Sequence, residues 1–488
     1  MKLLFFTLIA NILFFGFNDT TNNDLAINNP IETTIDLTQV VNDKVPVSIN
    51  PGRFTSETVV YHLPKVVQGT YAVSDFGSFI ENLKAYDYNG NEMIVGKLDT
   101  NSWTIGNATA LDKITYLVND TFDVENSGEQ PTPFSPSGTN IEPENYILNL
   151  HGFIGYFDSL KNSQYKLDIT ASSTFVRSSA LQDISSLTSD DGSKTTTSYF
   201  APRYFDITDN PMMYGRLEIE EFQVEDIKIV LSVYSPNKIH SAKKIKETMF
   251  KMMQAQKMYL GEINSTPRYD IFLYLGESNE TSPKGYGALE HHTSTVVVMP
   301  EEISEEALAE QMTNIVSHEF FHIVTPLSVH SEDVHYFDYN NPSFSKHLWM
   351  YEGVTEYFSN LFQIDQGLIP EDKFYAEIQE KILNASNLDD SMSFTLMSEN
   401  ILEKPYADNY LNVYQKGALI GMCIDILIRE ESNGNRGILS LMKELSLKYG
   451  VNKPFEDDKL LEEITNMTYP SVKEFFDEYV VGTTPIDY

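Results

Sequence analysis

The stretch His318-Glu319-Phe320-Phe321-His322 decides how the chain is read. Residues four apart share one face of a helix, so the two imidazoles can converge on a single cation while Glu319 points at the water that the cation activates. Two histidines and a glutamate at this spacing also arise by accident in unrelated helices. The neighbourhood therefore has to decide. From Ser304 to Thr325 the apolar residues Ala307, Met312, Ile315, Val316, Phe320 and Ile323 recur at three- and four-residue steps, which predicts a helix. Ser304 with Glu305-Glu306 suits its start and Pro326 its end. In that register both histidines sit among apolar neighbours, where a lone histidine would be read as structural.

A hydrolytic zinc site needs three protein ligands and one open position for water. The third donor is sought in the run His347 to Phe358, which is apolar almost all round, so a carboxylate within it is expected to be buried. An unpaired buried carboxylate is costly, and a divalent cation offsets that cost. Glu352 is accordingly the third ligand, and an ion pair with Lys346 is the alternative. Gly353 costs helix stability unless close packing requires it. Glu356, one turn on, either accepts the second ring hydrogen of a ligating histidine or is simply solvated. One zinc ion per chain is the expected cofactor.

These segments, with Tyr336-Phe337-Asp338-Tyr339 and Leu348-Trp349-Met350-Tyr351-Glu352-Gly353-Val354-Thr355, resemble the glycyl aminopeptidase family of gluzincin metallopeptidases, metallopeptidase family sixty-one. Gly287-Ala288-Leu289-Glu290-His291 is similar to the family's exopeptidase motif, and Tyr414-Gln415-Lys416-Gly417-Ala418-Leu419 to the segment that carries its catalytic tyrosine. The matches run in family order from about Gly285 to the C-terminus. The resemblance implies that Glu319 is the general base, that Tyr414 donates to the oxyanion, and that Gly287, Ala288 and Glu290 bind substrate, Glu290 by holding its amino terminus. On the residues alone, Glu290 reads as an exposed acid on an edge strand and Tyr414 as core packing, with Tyr406 and Tyr410 close by. The partners implied are peptides with a free amino terminus. A preference for Gly or Ala there rests on the resemblance only. A zinc endopeptidase on the same scaffold and a catalytically silent peptide-binding protein are the alternatives.

Two departures from the family stand out. Ile323-Val324-Thr325-Pro326-Leu327 is neutral where many members are basic, and the chain stops at Tyr488, roughly where many continue into a PDZ domain.

Composition bounds the rest. With 70 acidic against 34 basic residues, a formal charge of −36 provides no basic stripe to displace phosphate counterions, which excludes a nucleic-acid role. Met1-Lys2 and the apolar run Leu3 to Phe17 resemble a secretory signal too short to span a bilayer comfortably. The expectation is export to the periplasm, cell surface or medium, by a cleaved signal or an uncleaved tether, with no other stable membrane span. Phe17 stands where a bacterial lipoprotein has its lipid-bearing cysteine, and the single Cys423 lies in an apolar helical run. Residues 18–30 read as a linker.

The fold expected is α+β and multidomain. β-rich alternation at Thr33 to Leu37 and Glu57 to Tyr61, interrupted by turn-rich stretches at Asn126 to Glu144 and Ser185 to Ser198, predicts an all-β, sandwich-like domain over 31–205. A thermolysin-like zinc peptidase domain follows over 206–380, with a helix from Ile239 to Leu260 and strands at Tyr269 to Leu275 and Tyr286 to Pro300. A helical C-terminal subdomain over 381–488 includes a helix from Asn409 to Glu431.

Overall fold

The computed structural model describes residues 24–124, 132–263, 266–279 and 282–488. The signal-like segment, residues 18–23 of the linker and residues 126–131 of the first turn-rich stretch lie outside the described residues.

Alternation builds the N-terminal half. Ile31–Asp36, Lys44–Asn50 and Tyr165–Ser172 each bury every second residue, so each strand offers one row of apolar side chains to a core. They are central in an eight-stranded sheet ordered Asp183–Thr188, Lys194–Ala201, Tyr165–Ser172, Ile31–Asp36, Lys44–Asn50, Leu111–Asn119, Ile80–Asp87 and Glu92–Met93. A four-stranded sheet of Tyr156–Phe157, Thr58–His62, Ser102–Gly106 and Val95–Lys97 covers its buried face. Ile35, Val47 and Ile114 of the first sheet share one core with Tyr61, Ile105 and Phe157 of the second, which is the expected sandwich. The serine- and threonine-rich stretch 185–198 is not a loop. It forms a hairpin, because hydroxyl pairs such as Ser186 with Thr197 (3.3 Å) and Thr188 with Thr195 (3.3 Å) meet across its two strands.

The second half is organised by a five-stranded sheet ordered Glu218–Val224, Ile227–Tyr234, Arg268–Gly276, Ser294–Pro300 and Gly287–His291, its three middle strands parallel. The helix Ala242–Leu260 makes the crossover between Ile227–Tyr234 and Arg268–Gly276, beginning three residues later than its apolar pattern suggests. Ile271 and Leu273 point to the helical side, against Met249, Met312, Val316 and Phe320. Phe272 and Tyr274 point the other way, against Ile147 and Met213 of a third, four-stranded sheet. Period two thus gives each face of the central sheet its own core.

Three sequence expectations need correction. Tyr286 to Pro300 is two antiparallel strands, turning at His292-Thr293 because Asp209 accepts from the His292 backbone N–H (3.0 Å) and engages its ring (3.2 Å). The helix expected from Ser304 to Thr325 spans Glu305–Phe321, with the Ser304 side chain capping the Ala307 N–H. Beyond it the chain tightens into three-residue turns, His322 N–H to the Glu319 carbonyl among them. The helix expected from Asn409 to Glu431 is broken at Tyr414, where Tyr406–Val413 and Gln415–Glu431 meet at a bend of 48°. Among the described residues no single helix is long and apolar enough to cross a membrane.

Candidate metal centre

His318 stands in the last turn of Glu305–Phe321 and His322 just past it, while Glu352 stands in a widened π-helical turn, Trp349–Val354. All three are buried. That turn lies directly on the helix Gln415–Glu431, and a Cβ on Gly353 would be 2.4 Å from the Gly417 carbonyl carbon. Only glycine permits this approach, which brings Glu352 and Tyr414 to the same cleft.

His318 Nε2 is 3.3 Å and His322 Nε2 is 3.7 Å from Glu352 Oε2, so one nitrogen from each ring and one carboxylate oxygen converge. The other ring nitrogens are engaged. His318 Nδ1–H donates to Glu356 Oε2 at 2.8 Å, and His322 Nδ1–H donates to the Thr325 carbonyl at 3.1 Å. These acceptors select the tautomer in which both Nε2 lone pairs face inward. Glu356 in turn binds Lys381 Nζ at 2.5 Å. Lys346, the cation that might have paired with Glu352, is engaged with Asp458 and Glu399 instead. Two imidazoles and a carboxylate, buried together, are the donor set of a zinc site with one position left open.

The electrostatics have the same origin. Burial pushes the Glu319 carboxyl up to about 8, the Glu352 and Glu356 charges adding and His318 opposing, and its Oε2 has no hydrogen-bond partner. Burial drives His322 down to about 4, despite Glu352. Burial opposes charge on His318 too, but Glu352 and Glu356 outweigh it and hold the ring well above its ordinary value. Burial also opposes charge on Glu356, and Lys381 with His318 outweighs it and depresses the carboxyl.

Glu290 lies on the edge strand Gly287–His291, half-buried, with a carboxylate oxygen within 4.8 Å of donor atoms of both Glu319 and His322. Desolvation and the charges of Glu352 and Glu319 hold its carboxyl well above the usual range. Gly287 and Ala288 line the same cleft, of about 940 Å³, as do His318, Glu319, Glu352, Glu356 and Tyr414. The Tyr414 ring is 5.7 Å from that of His318, and its hydroxyl is 2.7 Å from the Tyr410 hydroxyl. Tyr410 therefore belongs to the cleft, whereas Tyr406 packs against the core. The candidate ligands, base, tyrosine and substrate-binding residues thus line one cleft.

Four participants carry no sign of their role in the sequence. Lys381 comes from the helix Glu371–Ser386, and Tyr410 stands four residues before Tyr414. Gly69 and Tyr71 come from the N-terminal half. A Cβ on Gly69 would be 2.7 Å from both Glu290 oxygens, and the Tyr71 hydroxyl donates to Glu352 Oε1 at 3.0 Å. No local pattern marks them, since their partners are more than two hundred residues away.

Comparison with known families and structures agrees with this geometry. The Peptidase M61 N-terminal domain matches residues 32–216, and the M61 glycyl aminopeptidase domain matches residues 311–420. Among solved structures, an aminopeptidase N family protein from Idiomarina loihiensis superposes with a TM-score of 0.78 at 20% identity, over 94% of this chain and 77% of that one. An M1 zinc metallopeptidase from Deinococcus radiodurans gives 0.58 at 13% identity, over 94% and 95% of the two chains. Legionella pneumophila aminopeptidase A, in complex with aspartic acid, gives 0.57 at 15%, over 93% and 49%. At such identities the likeness is one of fold. No curated protein matches the sequence.

Proposed function

Because this chain belongs to the M61 glycyl aminopeptidase family, we propose that it removes the first residue of peptides at a zinc centre held by His318, His322 and Glu352. The observation that carries the reading is the convergence of His318 Nε2, His322 Nε2 and Glu352 Oε2 beside Glu319, whose Oε2 is buried without a partner. Zinc bound there supplies Lewis-acid polarisation of the scissile carbonyl and acidifies a water molecule near neutral pH.

Glu319 takes a proton from the attacking water as its oxygen bonds to the carbonyl carbon. It then delivers that proton to the amide nitrogen as the carbon–nitrogen bond breaks. The Tyr414 hydroxyl donates to the oxygen on which negative charge develops. Glu290 pairs with the substrate ammonium, whose charge reverses the repulsion the carboxylate meets from Glu319 and Glu352. Its closeness to Glu319 leaves room for one residue between amine and cleaved bond, which supports exopeptidase action. Gly287–His291 is the last strand of its sheet, with no further strand paired to it among the described residues, which supports receipt of the peptide backbone by strand addition. A small first residue, Gly or Ala, is the substrate we propose on family grounds. The apolar run Leu3 to Phe17 supports export of the enzyme.

A panel of aminoacyl fluorogenic amides tests this reading. Glu319→Gln should keep its zinc and lose turnover by about 10²–10⁴-fold. Normal turnover in that variant would remove Glu319 from its role. Cleavage of N-acetylated peptides as fast as free ones would make the enzyme an endopeptidase and leave Glu290 without its amine.

A further inference from the structure

The loop Gln68 to Ala72 joins strands of the N-terminal sandwich, yet Tyr71 packs against the hydrophobic core of the catalytic half. Its hydroxyl donates to Glu352 Oε1 at 3.0 Å, and its ring stands 6.0 Å from Tyr410 and 6.1 Å from Phe344. Tyr71 adopts a φ of +47°, a left-handed conformation that a bulky residue takes only when its surroundings impose it. Gln68 Nε2 donates to the Val334 carbonyl at 2.8 Å, Thr70 Oγ1 to the Val67 carbonyl at 2.9 Å, and the Lys65 and Val66 amides both to the Tyr339 carbonyl at 3.0 Å. The loop is strapped to the catalytic half through the residues just before the tyrosine, and the strained residue is the one that reaches Glu352.

The two oxygens of Glu352 have different surroundings. Oε2 faces both imidazole Nε2 atoms, and Oε1 receives the Tyr71 hydroxyl. A carboxylate with one oxygen occupied by a hydrogen-bond donor has one oxygen to offer a metal. We infer that Tyr71, supplied by the N-terminal domain, is a positioning residue that holds Glu352 as a one-oxygen ligand and so keeps the fourth coordination position free for water and substrate. This rests on the reading of Glu352 as a zinc ligand. It also gives the β domain a task in the reaction: without it the metal site lacks a hydrogen bond that no catalytic-half residue supplies among the described contacts to Oε1.

Full-length wild type and Tyr71→Phe, which lacks one oxygen, test the inference. Zinc affinity is measured by competition with a chromophoric chelator, well below the melting temperature of each metal-free protein, so that loss of fold cannot imitate loss of metal. The visible spectrum of the cobalt-substituted proteins reports coordination number. Tyr71→Phe should bind zinc about 10–100-fold more weakly. Its cobalt bands should weaken and shift as Glu352 turns to two-oxygen binding, and kcat should fall more than KM rises. Equal zinc affinity and an identical cobalt spectrum in the two proteins would overturn the role of Tyr71 and leave the metal site standing. Wild type that binds no zinc, or binds it equally well as His322→Ala, would overturn the metal reading and this inference together.

Discussion

Glu319 combines a buried, unpartnered Oε2 with a carboxyl raised to about 8, and it neither binds Lys381 nor meets Tyr71 nor lies on the edge strand. Burial without a hydrogen-bond partner leaves that oxygen open to take up a proton. Tyr414 is placed for the opposite service, donating rather than accepting, and it stands at the break between two helical segments where its ring can turn toward His318. Replacing it by Phe should lower kcat by about 10²–10³-fold with little change in KM, measured on the best substrate of the panel. A loss confined to KM would assign the hydroxyl to substrate binding instead. His318, His322, Glu319 and Glu352 were legible in the sequence because helical spacing and apolar context locate them. Glu290 and Tyr414 were legible only by resemblance. Lys381 and Tyr71 were not, because a hydrogen bond between distant segments leaves no periodic trace.

At the scale of elements, two junctions set the geometry. The first is the contact of Gly353 with Gly417. Gly353→Ala would force the Glu352 turn away from the Tyr414 helix, and we expect destabilisation of about 1–3 kcal/mol in denaturant titration together with weakened zinc binding. Gly353 drew notice in the sequence as a glycine inside a helical run, but its partner could be found only in space. The second junction is Asp209, which holds the His292 turn and thereby the edge strand of Glu290. Burial opposes charge on both groups, yet each raises or lowers the other: His292 is held above its ordinary value and Asp209 well below its own. The stabilisation from His292 is complete below its unfolded value and is lost as pH rises through the raised folded one. That from Asp209 is complete above its unfolded value and is lost as pH falls. The pair therefore contributes fully from about pH 4 to about pH 6.5. Asp209→Asn should lower the melting temperature more at pH 5.5 than at pH 9, and an equal loss at both would remove the charge pair from the explanation.

For the molecule as a whole, the two halves are built into one another. Phe337 and Tyr339, part of a family-like motif in the catalytic half, are buried in the core of the N-terminal sandwich, and Lys161 Nζ donates to the Phe337 carbonyl at 2.6 Å. The motif was readable in the sequence, but its purpose was not, because nothing local to residues 336–339 shows which core will receive them. Phe337→Ala should cost about 3–5 kcal/mol and lower the single cooperative melting transition that we expect of the intact chain by calorimetry. Two separate transitions, with only one shifted, would contradict such coupling. The formal charge of the chain, −36, opposes the approach of polyanions and favours that of cationic peptide termini. Anomalous diffraction at the zinc absorption edge, from crystals of active enzyme, tests most directly whether one ion sits at the three ligand atoms. The prediction is a single peak within bonding distance of His318 Nε2, His322 Nε2 and Glu352 Oε2. A peak elsewhere, or an active crystal with none at those three atoms, would contradict it.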